Sequence, residues 1–178
     1  TGESPFFAKG SPGIVQPYTV INKLGGEADV GVSTLQGIHG NGWGYYVLGA
    51  DIDASATATW NGGKGFAPIV PALLNYYYYG PLTKTIPFAF DGLGHSIRNI
   101  YINRPDESKV GLFGRLDVGR VENLKVTGIV SGLDSVGLIA GVVGHSDGCM
   151  YYCGASTIEM TTFEGVSAAG SVRGRDYV

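Results

Sequence analysis

Residues 110–116 read VGLFGRL, and residues 136–143 read VGLIAGVV. The shared Val-Gly-Leu returns 26 positions on, from Val110 to Val136. One catalytic site needs its motif once, whereas a phrase that returns at a fixed period marks a unit stacking on copies of itself. A helix is the competing reading of VGLIAGVVG (136–144). Its three glycines would each cost about 1 kcal/mol in a helix interior, so the phrase reads as strand and corner.

Working outward, one unit runs from 97 to 116 and a second from 121 to 143. Aligning Asn99-Ile100 with Asn123-Leu124 gives a front offset of 24, against 26 at the back. A third unit opens at 166–178, where RGRDYV (173–178) echoes SGLDSV (131–136) at an offset of 42, which implies an insertion between them. The sequence stops at Val178 in what reads as mid-repeat. Within the units Ile100 and Ile102, then Leu124 and Val126, alternate as in a half-buried strand. Short strands and Gly, Asn or Asp corners at about 25 residues per turn predict an all-β fold, a parallel β-helix of roughly seven coils. Parallel crossovers are nearly always right-handed, so the coil is expected to be right-handed. Gly111, Gly114, Gly137, Gly141 and Gly144 should lie at corners or close backbone approaches. STLQGIHGN (33–41), with Ser33 as a possible N-cap, predicts a short helical cap. The expected organisation is a cap and first irregular coil over 1–45, then the β-solenoid over 46–178.

Composition narrows the function. Net charge is −3 and 15% of the 178 residues are charged, against about 25% in an ordinary domain. No basic patch exists to attract nucleic acid, and no apolar run is long enough for membrane insertion. Glycine makes up 30 residues without a collagen period, in a chain too rich in Val, Ile and Leu to be disordered. Residues 1–17 lack a signal-peptide layout and the chain lacks an initiator Met, as in a mature or excised fragment.

Four blocks in order carry a resemblance: YTVINKLGGEADVGVSTLQGI (18–38), YYVLGADIDASATATWNGGKGFAPI (45–69), FAFDGLGHSIRNIYINRP (88–105) and the VGL phrases. Together they resemble filamentous-haemagglutinin-like bacterial adhesins with GLUG-type repeats, which include two-partner-secretion exoproteins. The resemblance implies a secreted, right-handed β-helix at the cell surface, used in adhesion or biofilm. It implies a non-enzymatic protein whose partners are a host or neighbouring-cell surface protein or glycan. Two stretches depart from the pattern: insertions near 70–87 and 146–162, expected to protrude from the rod. Self-association by end-to-end stacking into filaments is a further expectation, because an open coil exposes a pairing edge.

The insertions hold the candidate binding residues. Tyr76, Tyr77, Tyr78 and Tyr79 are consecutive and cannot all face one way, so they form either a contact surface or a loop folded over the rod. Tyr151 and Tyr152 would add to that surface. Cys149 and Cys153, four apart in a chain expected to be secreted, favour a small disulfide loop over metal binding. No cofactor and no metal site is expected, because His39, His95 and His145 show no ligand spacing.

Two constellations outside the insertions could carry chemistry. Asp51 and Asp53 share a strand face and could act as acid and base or bind Ca²⁺, but an Asx-type corner is the favoured reading. Asp91, His95 and Arg98 could serve a polysaccharide lyase or glycoside hydrolase, yet Asp91-Gly92 is also a turn signal. This carbohydrate-active enzyme is the alternative function, and the expected lack of a repeated acidic column counts against it.

Overall fold

The computed structural model describes residues 6–9, 16–40, 44–71, 88–116, 119–144 and 161–175. These residues form strands in mainly parallel sheets, with short 3₁₀ segments between them. Sheet A holds β1 (Phe6–Lys9), β2 (Gln16–Ile21), β3 (Gly44–Leu48), β5 (Phe88–Asp91), β8 (Arg120–Glu122) and β11 (Thr162–Glu164), in that order. Sheet B runs β12 (Ser167–Arg173), β9 (Lys125–Gly132), β6 (Ser96–Arg104), β4 (Ile52–Asp53). Sheet C pairs β10 (Ala140–Val143) with β7 (Phe113–Leu116). From β5 onward the chain visits A, B and C in strict rotation, and among the described residues every strand ladder is parallel except β1 on β2.

Rotation through the sheets turns sequence alternation into columns. In sheet A, Thr19, Tyr46, Phe90, Val121 and Phe163 stand in register. In sheet B the column is Ile52, Ile97, Val126 and Ala168. The inward residues meet in one apolar core, where the Phe113 ring contacts Phe88 and Phe90 edge-on, both at 5.6 Å between centroids. Burying such rings supplies most of the driving force that must offset the conformational entropy of ordering the chain.

The Val-Gly-Leu phrases stack as expected, Val110 bridging Val136 in parallel. VGLIAGVV is strand where it pairs, with Ala140 opposite Phe113 and Val143 opposite Leu116. The 42-residue offset holds in two sheets, Thr162 opposite Arg120 and Ser167 opposite Lys125. The front alignment is corrected: Ile97 pairs with Val126 and Ile100 with Gly128, offsets of 29 and 28 rather than 24. Asn99 and Asn123 both adopt positive φ, 61° and 49°. Asn tolerates that conformation, so the repeated Asn marks two different kinks. Sheet A stacks five parallel strands among the described residues where 25 per turn gave about seven. Its steps run from 27 residues (Thr19 to Tyr46) to 44 (Gly44 to Phe88).

The helix expected at 33–41 is one 3₁₀ turn, Gln36–Gly40. Its first turn is closed by Thr34 rather than Ser33: the Gly37 N–H donates to Thr34 Oγ1 at 3.1 Å. Leu35 and Ile38 carry the segment into the core, and the edge of β2 is instead paired by antiparallel β1. The five marked glycines sit as expected. A Cβ at Gly111 would strike the Gly137 carbonyl oxygen, one at Gly114 would lie 2.9 Å from the Lys109 oxygen, and Gly144 has a φ of 94°. Gly137 and Gly141 likewise face backbone atoms too close for a side chain.

Candidate functional site

Asp51, just before β4, and Asp53 within it are exposed, with Ile52 inward between them. The turn into β6 then brings His95, Ser96, Arg98 and Asn99 alongside. Ser96 N–H donates to Asp51 Oδ1 at 2.9 Å, His95 Nδ1 lies 3.3 Å from the same oxygen, and Arg98 Nη1 donates to Oδ2 at 3.0 Å. Asp53 Oδ1 accepts from Ser55 N–H at 3.0 Å and from Asn99 Nδ2 at 3.1 Å. The Ser96 backbone N–H, aided by His95 and Arg98, holds Asp51 below the ordinary carboxylate range. The Ser55 N–H and then Asn99 do the same for Asp53.

Asp53 is thus the Asx corner that the sequence suggested, while Asp51 fastens β4 to the following layer. A general acid needs its proton held by burial, and neither carboxylate has that setting. Asp91 separates from its expected companions. It is 1% exposed, accepts from Leu93 N–H at 2.9 Å and from Asn123 Nδ2 at 3.1 Å, and so closes the Asp91-Gly92 turn. His95 and Arg98 join Asp51 instead. His39 is exposed and donates from Nδ1 to the Pro68 carbonyl at 2.8 Å.

Sheet A carries two features that the sequence reading missed. Its outer face buries a second apolar cluster of Tyr18, Val47 and Ala89, with Val20 and Tyr45 against it. Tyr18 and Tyr45 meet edge-on at 5.5 Å, and Arg120 Nη2 donates to the Tyr18 hydroxyl at 3.2 Å. The unbroken apolar run YYVL (45–48) was the available signal, since strands buried on both faces lose their alternation. The second feature overturns an expectation. Asp91, Glu122 and Glu164 stand in register on successive strands, so an acidic column does exist. Offsets of 31 and 42 hid it from a 25-residue period. Arg120 Nε lies 3.4 Å from Glu122 Oε2 beside that column.

Tyr76 to Tyr79, Tyr151, Tyr152, Cys149, Cys153 and His145 lie outside the described residues. Among the described residues no helix is long and apolar enough to cross a membrane.

Comparison with known proteins adds one relative. A stretch of 100 residues, 54% of the chain, is 43% identical to Halomucin of Haloquadratum walsbyi (strain DSM 16790 / HBSQ001). The chain spans 1% of the length of that protein. No family model matches the chain, and no solved structure matches it.

Proposed function

We propose that this chain is a non-enzymatic segment of a large secreted or cell-surface protein, a rigid right-handed β-solenoid that displays contact loops. The observation that carries the reading is the strict rotation through three parallel ladders, in a chain that resembles a short stretch of the far longer Halomucin. Rotation of this kind makes a rod. The filamentous-haemagglutinin-like resemblance supports the same adhesive role. Tyr76 to Tyr79, with Tyr151 and Tyr152, supply the contact surface for a protein or glycan of another cell, and a Cys149–Cys153 disulfide stiffens the second loop.

The test is antibody labelling of intact cells of the source organism, followed by a glycan and cell-binding screen with the purified chain. Label on unpermeabilised cells, and binding lost when Tyr76 to Tyr79 are replaced by Ser, is the expected result. Label only after lysis, or binding indifferent to the tyrosines, overturns it.

The acidic column favours a second reading, a carbohydrate-active enzyme using Glu122 and Glu164 beside Arg120. That reading requires soluble sugars to be released from a polysaccharide panel, and the release to vanish in Glu122→Gln and Glu164→Gln.

A further inference from the structure

The 3₁₀ segment Ser55–Gly63 is broken near its end, where Trp60 is extended at ψ 155° and Asn61 and Gly62 turn left-handed at φ 53° and 64°. Gly63 keeps the same hand at 89°. Asn61 and Gly62 are exposed, and a Cβ on Gly62 or Gly63 would meet no atom within 4 Å beyond its chain neighbours. Asn61 is held on both sides of its Cα. Its N–H donates to Glu27 Oε2 and its Nδ2 to the Gly65 carbonyl, each at 2.7 Å. Its own carbonyl accepts from Lys64 N–H at 3.3 Å, a weaker bond.

Asparagine is thermolabile because the backbone nitrogen that follows it can attack its side-chain carbon and close a five-membered ring. That ring contains the Cα–C bond and not the N–Cα bond, so closure sets ψ and leaves φ free. The positive φ of Asn61 is therefore no obstacle. The swing in ψ breaks the weak bond from Lys64, and Gly62 and Gly63 have the space and the freedom to absorb it. The bond to Glu27 lies on the other side of the Cα and can persist. The other asparagines among the described residues precede Lys23, Ile100, Arg104 and Leu124, whose side chains crowd the attacking nitrogen. Asn99 and Asn123 are also tied through Nδ2 to Asp53 and Asp91.

We infer that Asn61 is a site of spontaneous deamidation, which turns this corner with age into aspartate and isoaspartate. The deprotonated Gly62 nitrogen bonds to Asn61 Cγ as the Cγ–Nδ2 bond breaks, and Nδ2 leaves as ammonia with the proton that Gly62 gave up. Water then opens the ring. Opening at Cγ gives aspartate, and opening at the main-chain carbonyl carbon routes the backbone through the side chain as isoaspartate. Water enters and ammonia leaves, with no oxidant and no enzyme. The product lacks the donor to the Gly65 carbonyl and puts a carboxylate on the residue that the Glu27 carboxylate already touches. Gly65 bridges Ile102 of β6, so the change loosens this segment against sheet B.

The experiment is peptide mapping by mass spectrometry of the purified folded chain, held at neutral pH and sampled over weeks, beside a portion unfolded in urea. A gain of about one dalton is expected at Asn61 ahead of Asn22, Asn99, Asn103 and Asn123, with a methyltransferase specific for isoaspartate labelling the same peptide. The rate should rise about tenfold per pH unit, following the deprotonated amide. Gly62→Ala should slow it about tenfold by crowding the nitrogen. Conversion of Asn61 in urea but not in the folded chain overturns the inference. So does conversion no faster than at the other four, a rate flat with pH, or one indifferent to Gly62→Ala. Asn61→Asp should lower the urea midpoint, and an unchanged midpoint would overturn the loosening at Gly65.

Discussion

At Asn123 the backbone turns through a φ of 49° while the side-chain amide reaches back to Asp91 in the layer before. Both properties belong to one residue type, so the substitutions separate them. Asn123→Gly keeps the turn and loses a donor to a buried carboxylate. Asn123→Ala loses both and should cost about 1–3 kcal/mol in urea unfolding, more than the glycine variant. The Asp51 and Asp53 carboxylates make a prediction about pH. Their folded values lie below the ordinary range, so their stabilisation is complete above about pH 4. It is lost as acid carries the pH down through the lowered values. Melting curves between pH 7 and 2 should show that loss, and Asp51→Asn should flatten it. What was legible at this scale was residue chemistry: the Asx corner at Asp53 and the turn at Asp91-Gly92. The partner of Asp51 was not legible, since His95 and Arg98 stand 44 and 47 positions away and only the ladder register brings them near.

Strands here are held as much by what glycine omits as by what side chains add. A Cβ on Gly128 would collide with the Ile100 carbonyl oxygen in the neighbouring strand of sheet B. Gly94 has a φ of 83° and open space around it. Gly128→Ala should therefore cost up to about 3 kcal/mol through forced separation of β6 and β9, and Gly94→Ala only about 1 kcal/mol through its backbone. Chemical denaturation of the two variants side by side checks the order. Phe113→Ala removes the ring between Phe88 and Phe90 and should cost about 3–5 kcal/mol by the same measure. Strand identity was readable from alternation and from the Val-Gly-Leu phrase because each is a local pattern. Register was not, because corners of differing length shift the offset between 26 at Val110 and 29 at Ile97. The misaligned Asn99 and Asn123 show the cause, since a kink residue advertises its dihedral and not its place in the ladder.

For the molecule as a whole, nearly every ladder among the described residues joins residues far apart in sequence, from 26 positions at Val110 to 45 at Ile52. Loop closure must come before those pairings reward it, so refolding should take milliseconds to seconds or longer. Stopped-flow refolding from urea measures it, and a microsecond phase carrying the full amplitude would contradict it. The all-β class and its parallel ladders were legible because a repeat states its architecture many times over. The antiparallel pairing of β1 on β2 was not, because it occurs once. The hairpin of β1 and β2 stands apart in this respect: Lys9 faces Gln16 across only seven positions, a closure far cheaper than any other in the sheets. It is a seed with a direction. A chain delivered amino end first would set this small template early, and each later layer would crystallise on the finished one beneath. Folding in that order would act as a ratchet, drawing the remaining polypeptide forward and resisting its return.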